Sequence, residues 1–275
     1  MSSEFGDEDL TRKQRREQAR AQRKAMEEAV AAGAARRMRL TQLGIVVSVV
    51  VVAIVVVLIV TSGGSKTGIP ASKTEKNSVT KEIGTLLAGI PQSGNVLGSP
   101  TAPVTLKYFG DLECSICKEF TLGALPSVIP KWVRTGKLRI EYHSMQTATP
   151  EPETFKTQQV AAYAAGKQDK AWYFIETFYH EQGEERSGYV TEKYLQGIAS
   201  QVPGLNLAQW TSDRGDPELA NEITTDAQAV NNNGFTGTPS FLIGKTGGAM
   251  SKLEYPSAPS DPTFLDEAVE KLLKA

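Results

Sequence analysis

The chain has 275 residues, a formal net charge of −1 and 40% hydrophobic residues. These values are typical of a globular protein and argue against a chain-wide nucleic-acid binder, which would carry a strong positive charge. Its two cysteines are too few for a disulfide-rich scaffold or for a site of four cysteine ligands around zinc or an iron–sulfur cluster.

The N-terminal part of the chain separates charged from apolar residues. Residues 1–39 hold ten Lys or Arg and seven Asp or Glu, which gives +3 and leaves −4 for the rest of the chain. The sequence LGIVVSVVVVAIVVVLIV then fills residues 43–60 without a charge. As a helix rising ~1.5 Å per residue, it would be ~27 Å long, close to the thickness of a bilayer's hydrocarbon core. We therefore predict a basic cytoplasmic tail at residues 1–39 and one transmembrane helix at residues 40–61.

Two other interpretations of this apolar segment are weaker. A buried strand is usually no longer than about ten residues. A cleaved signal peptide has a shorter apolar region of about 7–15 residues behind a short basic lead. Arg36, Arg37 and Arg39 lie directly before the span, so the positive-inside rule keeps the N-terminus in the cytoplasm. We expect a single-pass protein of the cell membrane whose residues 61–275 lie on the extracytoplasmic side.

The segment after the span is polar at first. Residues 62–93 form the predicted linker, and the small, polar and charged residues up to 81 predict a flexible tether. A short apolar segment around Leu86, Leu87 and Ile90 favours a helix that lies on the following domain.

Residues 94–275 show alternating strand and helix patterns. A β-rich segment at 104–109 leads through a turn into a helix that opens near Cys114. Pro126 and Pro130 should break or restart this helix, because proline lacks the amide hydrogen that a helix interior needs.

The second half of this domain begins with a strand at residues 138–143, whose apolar and polar residues alternate. A block with helical periodicity follows at 154–232. Short strands are expected at 240–243 and 252–255, and a last helix is expected after Asp261, its predicted cap, with Pro262 at its first position. This order of elements predicts an α/β or α+β sandwich around one sheet.

Both cysteines fall within Cys114-Ser115-Ile116-Cys117. At the first turn of a helix, free amide groups and the partial positive charge of the terminus stabilise a thiolate at the first cysteine. A thiolate attacks a substrate disulfide to give a mixed disulfide, which a second thiol one turn away can resolve. The spacing therefore favours redox exchange.

Two alternatives to redox exchange remain open for this motif. A zinc site would need two further ligands, and the only histidines, His143 and His180, lack zinc-finger spacing. A structural disulfide fits an oxidising compartment, but closing so short a loop stabilises the fold little.

A second segment, Gly237-Thr238-Pro239-Ser240-Phe241, lies roughly 120 residues further along the chain. A proline directly before a short apolar strand is disfavoured within a sheet unless it turns the chain. A cis Thr238–Pro239 bond would turn it and expose the Thr238 backbone beside the cysteines. An ordinary trans loop proline is the alternative.

Together these segments resemble the DsbA-like branch of the thioredoxin superfamily. The resemblance covers residues 94–275, about two thirds of the chain. In order along the chain it rests on the lead-in at 95–106, Phe109, Asp111, the Cys114/Cys117 motif, the aromatic helix at 172–180 and the segment at 237–241.

The resemblance implies a thioredoxin fold with a helical insertion at about 150–232, and a cis Pro239. It also implies thiol–disulfide exchange on exported cysteine-containing proteins, without cofactor or metal. Cys114 would be the nucleophile and Cys117 the resolving thiol, with Thr238 and Pro239 shaping the substrate groove. A membrane redox partner is expected because an exchange enzyme must be recharged. The direction of electron flow stays open, and a non-catalytic binding module with an inert disulfide is the alternative function.

The chain departs from this family around the motif. Strong oxidases of the family often have a His between the cysteines, where Ser115 and Ile116 stand here. Tyr108 occupies the position, six residues before Cys114, where the family commonly has a buried acid. Glu113 and Glu119 should add negative charge and raise the Cys114 pKa. We therefore expect a less oxidising site than that of the family's strongest oxidases.

Overall fold

The computed structural model describes residues 73–255 and 258–275. The predicted tail and the predicted transmembrane helix lie outside these residues. Within the part of the chain that is described, no helix is both long and apolar enough to cross a membrane.

A six-stranded mixed sheet forms the centre of the domain. Its strands are β1 (Gln92–Ser93), β2 (Val96–Leu97), β3 (Val104–Gly110), β4 (Leu138–Ser144), β5 (Ser240–Lys245) and β6 (Met250–Lys252). Their spatial order is β1-β2-β4-β3-β5-β6, with β3 and β4 parallel and every other pair antiparallel. The central strands β3 and β4 pair in register from Val104↔Leu138 to Gly110↔Ser144, so their carboxyl ends meet at one edge of the sheet.

Eight helical segments accompany the sheet in the described residues. They are α1 (Lys73–Leu87), α2 (residues 115–133), α3 (Pro152–Gly166), α4 (Ala171–Glu181), α5 (Glu192–Ala199), α6 (Leu207–Asp213), α7 (Pro217–Asn233) and α8 (Thr263–Lys274). Helices α3 to α7 all lie between β4 and β5 in the chain. The predicted thioredoxin-like α/β fold with a helical insertion is therefore confirmed.

The two faces of the sheet are packed differently. Tyr108, Ile140 and Tyr142 belong to the large core that the sheet shares with α2 and α4. Phe109 and Leu242 face a smaller cluster beside residues of α7. Strand β4 shows the predicted alternation, buried at every second residue from Leu138 to Ser144, because one face meets the large core and the other carries polar side chains.

Helix α2 differs from the prediction that prolines would break it. It continues from 115 to 133, but two segments, Phe120–Ala124 and Ile129–Val133, are π-helical. Proline removes one amide donor and crowds the carbonyl of the preceding turn. A wider π turn relieves that crowding without ending the helix. The prolines therefore change the helix's winding and do not stop it.

Three further boundaries differ from the sequence predictions. Residues 73–81, predicted as part of a flexible tether, belong to α1, whose Ile83 and Leu87 are buried in the large core. A strand was expected at residues 252–255, but β6 spans Met250–Lys252. Its last residue, Lys252, pairs with Leu242 of β5. Helix α8 begins at Thr263, so Pro262 precedes its first residue, while Asp261 accepts the Thr263 N–H at 3.0 Å.

Candidate active site

The carboxyl end of β3 places the Cys-Ser-Ile-Cys motif. The strand ends at Gly110, and the chain turns so that Asp111 O accepts the Cys114 N–H at 3.0 Å. Cys114 is the N-cap of α2 with an extended backbone, and its Sγ accepts the Cys117 N–H at 3.4 Å. The first turn of a helix has amide groups without intrahelical partners. Here the side chain that accepts from one of these amide groups is that of Cys114, the first cysteine.

The two cysteines have opposite electrostatic environments. A hydrogen bond from Cys117 lowers the pKa of Cys114 to about 7, against the opposing effect of burial, and Thr238 and the Cys117 and Ile116 backbone also lower it. Burial raises the Cys117 pKa well above its usual range, and the charge of Cys114 raises it further. Cys114 is 5% exposed and Cys117 is fully buried. Cys114 is therefore the thiol that ionises first.

The Thr238–Pro239 segment lies against Cys114, as the sequence predicted. The Thr238–Pro239 peptide bond is cis, and Thr238 O accepts from Cys114 Sγ at 3.5 Å. Pro239 is buried at the start of β5, where Ser240 pairs with Phe109 of β3. Because β3 and β5 are neighbours, the fold brings together residues that are 124 positions apart in sequence.

Asp111 connects the cysteine turn to the loop after β4. It is fully buried, and one carboxylate oxygen accepts the backbone N–H groups of Thr147, Ala148 and Thr149 at 2.9, 2.9 and 3.0 Å. The other oxygen accepts from the Glu113 backbone and the Thr149 hydroxyl at 3.1 and 2.6 Å. A buried carboxylate with this many donors is a rigid anchor. The sequence marked Asp111 only as a turn residue and as part of the family resemblance.

The anchored loop reaches the cis-proline segment directly. Thr147 Oγ1 and Thr238 Oγ1 lie 2.5 Å apart in a hydrogen bond. Asp111 therefore fixes Thr147, Thr147 contacts Thr238, and Thr238 contacts Cys114. No motif in the sequence pointed to Thr147.

The expectation that Glu113 and Glu119 raise the Cys114 pKa is wrong. The pKa of Cys114 is lowered, and neither carboxylate is among the causes. Glu113 is buried, and its own pKa is raised to about 7 by burial and by the charge of Asp111. Glu113 therefore carries less than a full negative charge near neutral pH, while Glu119 is exposed to water. The hydrogen bonds from Cys117, from Thr238 and from the first turn of α2 outweigh the opposing effect of burial on the Cys114 pKa.

Two polar side chains of the helical insertion form hydrogen bonds with the motif and the turn before it. Gln182 Nε2, after the end of α4, donates to Leu112 O at 2.7 Å and to Cys114 O at 3.1 Å. Glu185 Oε2 accepts the Ser115 N–H at 3.3 Å and the Ser115 hydroxyl at 3.0 Å. A carboxylate thus lies at the same helix terminus as the Cys114 sulfur. Ile116, next to Ser115, is 39% exposed and presents an apolar surface two residues after Cys114.

A group of buried tyrosines lies behind Cys117. Tyr108 OH and Tyr179 OH are 3.0 Å apart, and Tyr179 OH donates to Asp111 O at 3.1 Å. Burial raises the pKa of Tyr108 well above its usual range, and the charge of Cys117 contributes. Tyr108 therefore supplies a neutral hydroxyl at the position where the family commonly has an acid.

Neither histidine contacts the cysteines. His143 Nδ1 lies 2.7 Å from Asp226 Oδ1 on the opposite face of the sheet, and its ring stacks on Phe109 with centroids 5.0 Å apart. His180 is half-buried on α4, where burial lowers its pKa.

Comparison with known proteins decides the family. The family model described as "Thioredoxin" matches residues 92–253, more than half of the chain. The chain belongs to the thioredoxin family. The motif, the cis proline and the insertion all lie within the matched residues.

Among curated proteins, the chain is similar to the probable disulfide bond formation protein D of Bacillus anthracis. The two are 23% identical over 179 residues, which cover 65% of this chain and 77% of that protein. Disulfide bond formation protein D of Bacillus subtilis is 21% identical over 174 residues, covering 61% and 76%.

Solved structures agree on the fold. Oxidised BdbD from Bacillus subtilis matches with a TM-score of 0.56 at 20% identity, over 67% of this chain and 97% of that chain. A variant of alpha-DsbA1 from Wolbachia pipientis matches with a TM-score of 0.54 at 18% identity, over 70% and 96%. The predicted DsbA-like thiol–disulfide oxidoreductase of the thioredoxin superfamily is therefore confirmed.

Proposed function

We propose that this chain is a membrane-anchored thiol–disulfide oxidoreductase that exchanges disulfides with exported proteins through Cys114 and Cys117. The observation that carries this proposal is the contrast between the two thiols. The pKa of Cys114 is lowered to about 7 at a helix terminus, while burial raises that of Cys117. Cys114 is thereby available as the attacking thiolate, while Cys117 stays protonated as a thiol.

The exchange follows from this contrast. The Cys114 thiolate attacks one sulfur of a substrate disulfide, a mixed disulfide forms, and the other substrate sulfur leaves as a thiolate. Cys117 then loses its proton to solvent or to the leaving thiolate and attacks Cys114 Sγ. The Cys114–Cys117 disulfide forms and the first substrate sulfur is released. The substrate has then gained two electrons and the enzyme has lost two. Running the same steps backwards oxidises a dithiol substrate.

Thr238 and Pro239 are proposed to shape the groove in which the substrate strand lies. Thr238 O is 3.5 Å from Cys114 Sγ, so a peptide beside this segment brings its own cysteine close to the nucleophile. The exposed Ile116 offers an apolar contact to an unfolded substrate, and Ser115 is held by Glu185.

The reduction potential of the Cys114–Cys117 disulfide is proposed to be lower than that of the strongest oxidases. Helix-terminal cysteines in this superfamily range from a pKa of about 3.5 in the strongest oxidase to about 7 in thioredoxin. Cys114, at about 7, falls at the thioredoxin end. A thiolate that is less stabilised makes the reduced form less favourable, and the disulfide is then a weaker oxidant.

Membrane anchoring is proposed from the sequence alone. The uncharged segment at 43–60 and the flanking Arg36, Arg37 and Arg39 predict a cytoplasmic N-terminus and an extracytoplasmic domain. Exported cysteine-containing proteins would be the substrates, and a membrane redox partner would recharge the dithiol. Resistance of the full-length chain to alkaline extraction from membranes, with its domain open to protease only from outside, would support this; release into the soluble fraction would contradict it.

A trapping experiment tests the exchange function. In Cys117→Ser the resolving thiol is absent, so exported substrates should accumulate as mixed disulfides with Cys114. Cys114→Ser is the matched control and should trap nothing. If Cys117→Ser captures no adduct while Cys114→Ser still binds the same partners non-covalently, the chain is a binding module with an inert disulfide. Equilibration of the wild-type dithiol with glutathione buffers then gives the potential, and a value as high as that of the strongest oxidases would refute the proposed poise.

A further inference from the structure

A cavity of about 740 Å³ lies between α1, α2 and α4, and its lining includes neither the cysteines nor Thr238. Cavities of about 300–1,000 Å³ are the usual size for small-molecule sites. Its apolar wall comes from Ile83 and Leu86 of α1 and from Leu122, Pro126 and Pro130 of α2. The residues of α2 that line the cavity thus belong to the same helix that begins at the cysteine motif.

One end of the cavity is acidic. Glu176 of α4 lines it, is 1% exposed, and has an Oε1 atom without a hydrogen-bond partner among the described residues. The charge of Glu82 acts on both Glu176 and His180, which places these three lining groups near one another. A buried carboxyl oxygen without a donor costs free energy that a bound donor would recover.

The cationic groups of the lining do not fill this role. Arg134 donates to the Thr85, Leu86 and Ala88 carbonyls at the end of α1, at 3.3, 2.7 and 2.6 Å. Lys81 lines the cavity but is exposed to water. None of these lining cations is hydrogen-bonded to Glu176 Oε1, although the charge of Lys118 on α2 acts on the neighbouring His180.

We propose that this cavity binds an amphiphilic primary amine, with its ammonium group on Glu176 and Glu82 and its apolar body against α1 and α2. An ammonium supplies the hydrogen-bond donors that Glu176 Oε1 lacks and a charge opposite to Glu82. A quaternary ammonium would supply the charge without the donors, and an alcohol a donor without the charge. The site is separate from the thiol chemistry, and its test does not depend on exchange activity.

Binding should be linked to proton release. Burial and the charge of Glu82 raise the pKa of Glu176 to about 8, so most of this carboxyl is protonated at pH 7. A bound ammonium favours the carboxylate, and the displaced proton leaves. Affinity for the amine should therefore rise with pH, by up to about tenfold per pH unit below that pKa.

The test uses purified full-length chain and 4-phenylbutylammonium as the probe, with calorimetry in buffers of different ionisation enthalpy. The same body with a hydroxyl, a trimethylammonium or a carboxylate head provides the ligand controls. We expect the primary amine to bind at least tenfold more tightly than each control at pH 8, with proton release at pH 7. Equal affinity for the amine and the alcohol, or no measurable binding of the amine, would overturn the proposal.

Glu176→Gln is the decisive variant, because glutamine keeps the shape of the side chain and removes its charge. It should lose at least tenfold in affinity and most of the pH dependence. The other charged or titratable groups around this end are Lys81, Glu82, Arg134 and His180 of the lining, and Lys118 of α2, whose charge acts on His180. Glu222→Gln is the matched control, since burial also raises the Glu222 pKa but this residue lies on α7. Wild-type affinity in Glu176→Gln would refute the proposal, and should that variant fail to fold, the head-group series and pH profile of the wild type decide.

Discussion

The thioredoxin core and the helical insertion contribute to the active site in different ways. The core supplies the two cysteine sulfurs and the cis-proline segment, from the end of β3, the start of α2 and the start of β5. The insertion supplies Gln182 and Glu185, which hold the backbone and the first helical residue of the motif. The core thus supplies the sulfurs, and the insertion supplies hydrogen bonds to the residues around them. We therefore expect substitutions in the core to abolish exchange or to lower the free energy of unfolding. Substitutions in the insertion should at most shift the pKa of Cys114.

The largest expected effect is in the core. Cys114→Ser should abolish exchange, because the remaining thiol, Cys117, is fully buried and burial raises its pKa, so it stays protonated and out of reach of a substrate disulfide. Gln182→Ala, in the insertion, removes only two donors to backbone carbonyls and should leave exchange measurable. Reduction of a fluorescent disulfide peptide under single-turnover conditions measures both. Comparable losses in the two variants would contradict the division between core and insertion.

Replacing Asp111 tests how much its buried hydrogen bonds contribute to the free energy of unfolding. Asp111→Asn should lower the free energy of unfolding by about 3 kcal/mol, because an amide cannot accept from all the buried donors that the carboxylate satisfies. Urea unfolding of the reduced protein at pH 7 measures the change. Asp261→Asn is the control, since that exposed cap should tolerate asparagine. A loss no greater than that of the control would mean that Asp111 is not an anchor.

The pH dependence of exchange reports on Cys114 itself. The attacking species is the thiolate, and the pKa of Cys114 is lowered to about 7. The rate should therefore rise about tenfold from pH 5 to pH 6 and level off above pH 7. The thiolate also favours the folded state, so this contribution to stability is present at alkaline pH and is lost as the pH falls through 7. Thiolate absorbance of Cys117→Ser against pH checks the value, and a midpoint near the ordinary thiol pKa would contradict it.

The smallest expected effect is in the insertion. Glu185→Gln removes a negative charge from the helix terminus that Cys114 shares, so the Cys114 pKa should fall by about half a unit. The thiolate is then more stable, and the disulfide should become slightly more oxidising. Glu184→Gln, on the exposed neighbouring residue, is the matched control. An unchanged pKa in Glu185→Gln would show that this carboxylate only positions Ser115.

Local patterns explain why parts of the fold could be predicted. The alternation of β4 and the strand-turn-helix order around Cys114 depend on neighbouring residues, and the structure confirms both. The effect of Pro126 and Pro130 was mispredicted, because packing of α2 against the large core stabilises a π-helical path that proline alone would not favour. The Cys114 pKa was mispredicted because the sequence shows the nearby charges of Glu113 and Glu119 but not which of them are buried.

The sequence by itself determined the groups that the proposed chemistry needs: two thiols at a helix start, a distant Thr-Pro before a strand, and an insertion between them. These are features of residue type and spacing, which need no knowledge of distant neighbours. Only the tertiary structure decided which groups surround the thiols. Asp111 reaches the loop at 147–149, Thr147 reaches Thr238, and Glu185 reaches Ser115. Each contact joins residues more than 30 positions apart, and their distances are set by how the sheet and helices pack.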